Sequence, residues 1–460
     1  MRYYYLLPML FPFLASVVSL SKSERLSEVF TAVFSLSSVL SSVFLLFVFP
    51  IHSNFFYIDG FSKIMLVVVS VVYLSTALFS ITYLKHVEKP LLSKSYYYMF
   101  LNLFVLTMLF SVSLNNLGLL WVGIEATTIT SALLVAIDND EASLESSWRY
   151  IIVVSVGLVM SLIGVMLIYA GSKTLYITKL LITSPVHPRL FALGAAFTVA
   201  GFATKAGIFP MHTWLPDVHG RAIAPVSAIF SGVLLPVALF GVYRIIEISC
   251  FVEGVKAFAL VLGVLTVGFA SVFLVSQKFY KRMFAYSSME NMGMILIGLA
   301  LGNKFALLGA VVLIVAHAFA KSSAFYTTGN ILSVYKTRDI TEIRGLSKVM
   351  PIGAYNLVLS SLAVTGAPPF ANFVGEALII YAVYLKFGLF LTVVLSAFLT
   401  LSFFAVNYKV VRMSFSISDR NFENKDNMAL FIPVLNTLLA FFVVFAVGFI
   451  NTLLVGGMIK

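Results

Sequence analysis

The sequence predicts an all-α, multi-pass membrane protein of about 14 transmembrane helices, two of them broken. Three observations carry that class. The 460 residues are 60% hydrophobic and only 11% charged, with mean hydropathy +1.02; soluble domains average about 45–50% apolar residues. Apolar runs recur along the whole chain, and each has the roughly 20 residues a helix needs to cross a bilayer. The runs are continuous, whereas a membrane β-barrel would alternate over short segments.

In chain order the spans fall near 4–20, 28–50, 61–84, 97–113, 115–136, 148–171, 190–209, 222–246, 254–276, 284–301, 306–332, 350–386, 388–409 and 428–455. The first, within MRYYYLLPMLFPFLASVVSL, imitates a signal peptide but lacks a clear small-residue cleavage site, so it reads as a retained helix. Span 7 contains Lys205, Ala206 and Gly207 before Pro210, and Pro216 follows. Span 12 is unusually long and holds Gly366, Pro368 and Pro369 near its middle. Proline removes a backbone donor and kinks a helix interior, so both spans are expected to be broken.

Charge decides how often span 12 crosses. With the N-terminus outside, the inner loops carry Lys22 and Arg25; Lys85, Lys89 and Lys94; Arg149; Arg221; Lys278, Lys281 and Arg282; and Lys336, Arg338, Arg344 and Lys348. A single crossing by 350–386, as two half-helices, returns Lys409, Arg412, Arg420 and Lys425 to the same side, as the positive-inside rule requires. Both termini are then outside. One loop, 172–189, stays awkward, with Lys173, Lys179 and Arg189 on the outer side.

Spans 7 and 12 stand five apart, each with a Gly/Pro break beside a charge. Discontinuous helices at matching places in two halves point to a repeat-built transporter. Spans 4–8 are therefore expected to repeat as spans 9–13. This divides the chain into three N-terminal helices (1–96), a first half (97–247), a second half (252–410) and a C-terminal helix (428–460).

Several function classes drop out. The net charge of +11 sits in short loops, where it sets topology, and there is no basic tail to grip nucleic acid. The lone cysteine, Cys250, excludes an intrachain disulfide and a cysteine-ligated iron–sulfur cluster in this chain. No P-loop, dinucleotide fingerprint or nucleophile elbow is present.

What remains is a set of ionisable residues inside apolar runs, where each costs about 2.5–3.5 kcal/mol and needs a reason. Glu125 lies mid-span in LLWVGIEATTITSALLV; it is an ion-handling carboxylate or a structural one held by Thr127, Thr128 or a lysine. Lys205, in VAGFATKAGIF, precedes a break that frees carbonyls and admits water. His317 and Lys321, in VLIVAHAFAKSSAFY, are four apart and share a helix face. Glu376 follows the second break in PPFANFVGEALII and reads as the carboxylate counterpart of Lys205, with an interfacial residue of the half-helix as the alternative. His212, Asp217 and His219 surround Pro216 and read as residues of the inner mouth of span 7, with a zinc site as the lesser alternative. Arg149 and DNDEASLE (138–145) read as a solvated loop after span 5, with Arg149 able to turn toward Glu125. Glu290, in SSMENMG, begins span 10 and has no clear part. Acids and bases alternate across the spans, which suits protons handed from site to site; sodium would want more oxygen ligands in one place.

At these residues the chain resembles the antiporter-like subunits of respiratory complex I and their relatives in multisubunit sodium/proton antiporters, energy-converting hydrogenases and formate hydrogenlyase. The stretches are FFYIDGFSKI (55–64), WVGIEATT (121–128), KAGIFPMHTWLPDVHG (205–220), APVSAIFSGVLL (224–235), KRMFAYSSMENMGMI (281–295), HAFAKSSAFY (317–326) and APPFANFVGEALII (367–380). The resemblance implies 14 helices in two inverted five-helix halves, and protons moved along a mid-membrane polar axis. By position, Glu125 takes the place of the span 5 carboxylate, Lys205 the lysine of broken helix 7, Lys321 the span 11 lysine and Glu376 the charge of broken helix 12. Many relatives carry a span 8 lysine in a GxLLK context; SGVLLPVALFGVYR places Pro236 there, so the central step is expected to pass through His219, His317, Lys321 or water. IEATT, SSWRY and PMHTWLPD look closest to the hydrogenase and formate hydrogenlyase branch, and no long lateral C-terminal helix is evident.

The resemblance implies a multi-pass protein of a prokaryotic plasma membrane. It sits among other membrane subunits and a peripheral redox module whose flavin, iron–sulfur or nickel–iron centres lie on those partners; no cofactor is expected here. Three readings compete: a proton-translocating subunit of a redox-driven complex, a subunit of a sodium/proton antiporter without redox partner, and a non-conducting scaffold.

Overall fold

The computed structural model describes residues 3–87, 90–417 and 430–456. Of the inner-loop charges above, Lys89, Arg420 and Lys425 lie outside the described residues. Among the described residues, ten helices are long and apolar enough to span a membrane. Span 1 (Leu7–Ser19), span 4 (Lys94–Ser111) and the two broken spans complete the expected set.

The helix starts follow local chemistry. Asp59 caps span 3 (Gly60–Tyr83) by accepting from the Ser62 amide at 2.8 Å, and Asn303 caps span 11 (Lys304–Tyr335) through the Ala306 amide at 2.9 Å. A polar side chain at this position satisfies an amide that the helix leaves open. Asp140 and Ser143 form a reciprocal capping box, and this corrects the loop expected over 138–145. Span 6 starts at Glu141 and runs to Ser172, so Glu145 and Arg149 are helical. Span 10 likewise starts earlier than expected, at Tyr280 and ends at Leu301, which puts Lys281 in a buried first turn and Glu290 at mid-helix.

Both breaks are present. Span 7 consists of Pro188–Lys205 (7a) and Trp214–Arg221 (7b). Span 12 consists of Pro351–Val364 (12a) and Ala371–Phe387 (12b). Each first half-helix is followed by a glycine in the left-handed region, Gly207 at φ 73° and Gly366 at φ 67°, which a side-chain-bearing residue adopts only at a cost. Each break also contains a cis X–Pro bond, Phe209–Pro210 and Pro368–Pro369.

Five crossings are an odd number, so a set starting at span 9 begins on the opposite face from one starting at span 4. Corresponding helices therefore run in opposite directions. The third helix of each set, Glu141–Ser172 and Lys304–Tyr335, is 32 residues long. In lipid, helices gain little from the hydrophobic effect and pack instead through small residues and hydrogen bonds. Gly164 and Gly194 bring spans 6 and 7a into backbone contact, and Gly309 and Gly375 do the same for spans 11 and 12b; a Cβ built on Gly309 would lie 2.8 Å from the Gly375 carbonyl. Spans 2–4 are joined by polar side chains: Ser70 meets Ser38 and Ser42 at 3.2 and 2.9 Å, and Asn102 links Thr31 to Tyr73.

Span 8 has one irregularity. Between Ala224–Ile229 and Leu235–Ile248 the residues Phe230–Leu234 form a π-helical turn. Pro236 follows after Leu235; it offers no amide to the Gly232 carbonyl and its ring crowds that turn, so widening the helix there absorbs the mismatch.

Candidate functional site

Lys205 is the last residue of span 7a and is fully buried. Its Nζ donates to Thr128 Oγ1 at 2.8 Å and to the Tyr150 hydroxyl at 2.5 Å, and lies 4.7 Å from the centre of the Tyr150 ring. Tyr150 continues to Ser131 at 2.9 Å. Thr128 is three residues beyond Glu125 on span 5, so both occupy one helix face. Glu125 lies within electrostatic reach of Lys205. Ser155 donates to its Oε1 at 3.4 Å, while its buried Oε2 has no hydrogen-bond partner among the described residues. Neutral hydroxyl oxygens accept from an ammonium or an amine alike, so Lys205 keeps its position in either protonation state.

The second half has a comparable lysine. Lys321 is fully buried, and its Nζ donates to the Phe284 carbonyl at 2.8 Å and to Ser287 Oγ at 2.9 Å, both on span 10. His317 stands one turn away on the same face, fully buried, with neither ring nitrogen in hydrogen-bond geometry with a described residue. Glu376, 8% exposed, follows the second break, and its carboxylate lies against Gly366, where a Cβ would come within 2.1 Å of Oε2.

His219 does not sit at a mouth, which corrects its expected place. It is fully buried, stacks on Phe325 with ring centres 4.8 Å apart, and lies within electrostatic reach of Lys321. The short half-helix 7b turns its imidazole inward. The interval between the two lysines is thereby occupied: the Tyr150 ring is 5.6 Å from Phe230, and Phe230 is 6.4 Å from His219. Phe230 opens the π turn of span 8, whose Ser231 reaches Ser288 on span 10 at 2.7 Å.

The remaining expected residues divide. His212 is buried beside the break, its Nδ1 3.2 Å from the Pro210 carbonyl. Asp217 faces a cavity of about 220 Å³ with Glu145, Arg149, Arg221 and Arg282, and pairs with Arg149 at 3.1 Å and Arg282 at 3.4 Å. Arg149 is exposed and also pairs with Glu145 at 2.5 Å, so it turns away from Glu125. Among the described residues no three His, Cys, Asp or Glu side chains gather as a metal cage.

Sequence reasoning missed Tyr150 and the pairing of Thr128 with Lys205. Tyr150 stands in the quoted SSWRY, but only the packing of span 6 on span 7a brings it to the lysine. A buried ion cluster was also missed. Arg244 Nη1 donates to Asp59 Oδ2 at 2.8 Å and to Glu247 Oε2 at 2.7 Å, its Nη2 donates to Ser62 at 2.9 Å, and its guanidinium lies over the Tyr57 and Phe240 rings. Burial alone would raise the Asp59 pKa; the Arg244 charge, with hydrogen bonds from Arg244 and Ser62, outweighs it and holds the carboxyl below its ordinary value. Asp59 was visible in FFYIDGFSKI and Arg244 in FGVYR, but 185 residues separate them.

Comparison with known proteins places this geometry. The chain is 31% identical over 456 residues to the Hydrogenase-4 component F homolog of Methylacidiphilum infernorum, covering 95% of this chain and 94% of that protein. It is 31% identical over 260 residues to NADH-quinone oxidoreductase subunit N of Desulforudis audaxviator, where it spans only about half (52%) of that protein's length. Its fold matches a chain of the archaeal membrane-bound sulfane sulfur reductase, with a TM-score of 0.89 at 24% identity over 98% of this chain and 96% of that one. It also matches a chain of the Mrp complex from Dietzia sp. DQ12-45-1b, with a TM-score of 0.87 at 19% identity over 99% and 97%. Residues 114–405 match the family described as NADH:quinone oxidoreductase/Mrp antiporter, TM. From that match and the near full-length 31% identity, the chain belongs to the NADH:quinone oxidoreductase/Mrp antiporter transmembrane family.

Proposed function

We propose that the chain is the proton-translocating membrane subunit of a redox-driven complex, passing protons along Glu125, Lys205, His317, Lys321 and Glu376. The observation that carries this is the pair of fully buried lysines, each held by hydroxyl or carbonyl oxygens next to a broken helix or a break-contacting one, with His219 between them. A lysine so held hands on a proton without leaving its place. Asp217 and Arg149, at the solvent cavity, shape the entrance, and His212 steadies the break.

The hydrogenase-type branch is favoured, because the near full-length relative is named as a Hydrogenase-4 component. Flavin, iron–sulfur or nickel–iron centres then lie on partner subunits, and other membrane subunits pack beside this chain. We place both termini outside, which leaves the basic loops named above on the inner face. The test uses the assembled complex in vesicles. Glu125→Gln and Lys205→Ala should each abolish proton translocation per electron; unchanged translocation in both would remove the proposal.

A second reading, a sodium/proton antiporter subunit with no redox partner, draws on the Mrp fold match. Purification separates the two. Co-purifying flavin or iron–sulfur subunits reject it, whereas a colourless complex with sodium-dependent proton exchange supports it.

A further inference from the structure

The relay just proposed leaves one enclosed carboxylate without a part. Glu290 lies midway along span 10, the most deeply enclosed of the spans, and is 3% exposed. Its Oε1 is buried and has no hydrogen-bond partner among the described residues. A carboxylate kept only for structure would have its oxygens filled, because an unmet polar atom away from water is costly.

Its neighbours give it a direction. Lys321 docks on span 10 through Ser287, one turn before Glu290 on the same face, and lies within electrostatic reach of Glu290. Glu290 also lies within electrostatic reach of Glu376. The next residue, Asn291, donates to the Val364 carbonyl at 3.2 Å and so pins this turn to the break of span 12. The hydroxyls of Ser271 and Ser402, 2.9 Å apart, flank the carboxylate.

The first half is built to the same scheme. On span 5, Glu125 and Thr128 are one turn apart, and Thr128 holds Lys205. On span 10, Glu290 and Ser287 are one turn apart, and Ser287 holds Lys321. The order along the chain is reversed, but spans 5 and 10 cross in opposite directions. Both carboxylates therefore lie toward the same membrane face relative to the hydroxyl that holds the lysine.

We infer that Glu290 is the proton-exchanging carboxylate of the second half, paired with Lys321 and standing between it and Glu376. The second half thus carries its own acid–lysine unit, and Pro236 in span 8 removes nothing it needs. The step is a simple transfer. The Lys321 ammonium gives a proton to the Glu290 carboxylate, leaving an amine and a carboxylic acid; the acid passes that proton to the Glu376 carboxylate and returns to its anion. The inference rests on the relay reading, and the test keeps the two apart.

Glu290→Gln, Glu290→Asp and Glu125→Gln are compared in vesicles carrying the assembled complex. Glu290→Gln should slow proton translocation by at least about 100-fold, the scale of a lost proton-transfer group, with part restored in Glu290→Asp. Infrared difference spectra during turnover should show a carboxylic-acid band that is lost in Glu290→Gln and shifted in Glu290→Asp, which a merely structural residue would not produce. If Glu125→Gln stops translocation while Glu290→Gln runs at the unsubstituted rate, this inference is overturned and the relay stands. If neither variant slows, both are overturned. Should Glu290→Gln fail to assemble, the spectra decide: identical carboxyl bands in the unsubstituted and Glu290→Asp complexes overturn the inference.

Discussion

Lys205 owes its place to two hydroxyls, and this can be tested at single-residue scale. Tyr150→Phe removes the 2.5 Å bond and leaves Thr128 as the remaining anchor. A hydrogen bond to a charged group contributes about 1.5–3 kcal/mol, so proton translocation should fall roughly 10-fold or more in vesicles while assembly is unchanged. Gly366 is a second such point. Its φ of 67° and the 2.1 Å approach of Glu376 leave no room for a methyl group. Gly366→Ala should cost at least about 1–2 kcal/mol from the backbone alone, read as a lower thermal midpoint in detergent. Lys205 was legible in the sequence because a charge stands out in an apolar run. Tyr150 was not, because a membrane tyrosine more commonly marks an interface.

At the scale of elements, the breaks were legible and the joins between helices were not. Gly207 with Pro210, and Gly366 with Pro368 and Pro369, announce interruptions through local chemistry. The tie between spans 3 and 8 at Asp59, Arg244 and Glu247 depends on which helices become neighbours. Removing the cation from a buried ion cluster leaves uncompensated charge, so Arg244→Met should destabilise by about 3–5 kcal/mol in a thermal melt. Adding Asp59→Asn and Glu247→Gln should recover part of that loss. The sign of the pH dependence follows from Asp59. Its folded pKa is depressed, so its contribution is complete above the unfolded value of about 3.9 and is lost as pH falls through the lower folded value. The melting midpoint should therefore drop on acidification below about pH 4, and Asp59→Asn should remove that part of the drop.

At the scale of the whole molecule, the proposed relay through both halves makes a prediction about combined variants. Residues acting in one chain are not additive. Glu125→Gln and Lys321→Met should each slow proton translocation strongly, and the double variant should be no slower than the slower single. Independent, additive effects would mean that the halves do not share a path. The membrane class, the helix order, the two breaks, the half-buried Glu125 and the buried Lys205, His317, Lys321 and Glu376 could all be read from the chain. Each depends on properties that act locally: apolar length, proline and glycine backbone limits, and the cost of an ion in hydrocarbon. Only the tertiary structure decided that Tyr150 and Thr128 hold Lys205, that His219 turns inward beside Lys321, and that Glu290 stands at mid-helix within electrostatic reach of that lysine. These are contacts between residues 34 to 77 positions apart in the chain: Ser287 with Lys321, Tyr150 with Lys205 and Thr128 with Lys205. In an apolar solvent, hydropathy makes every span look alike; close packing at small residues and the need to satisfy buried polar atoms select which faces meet, and neither is written in any one span.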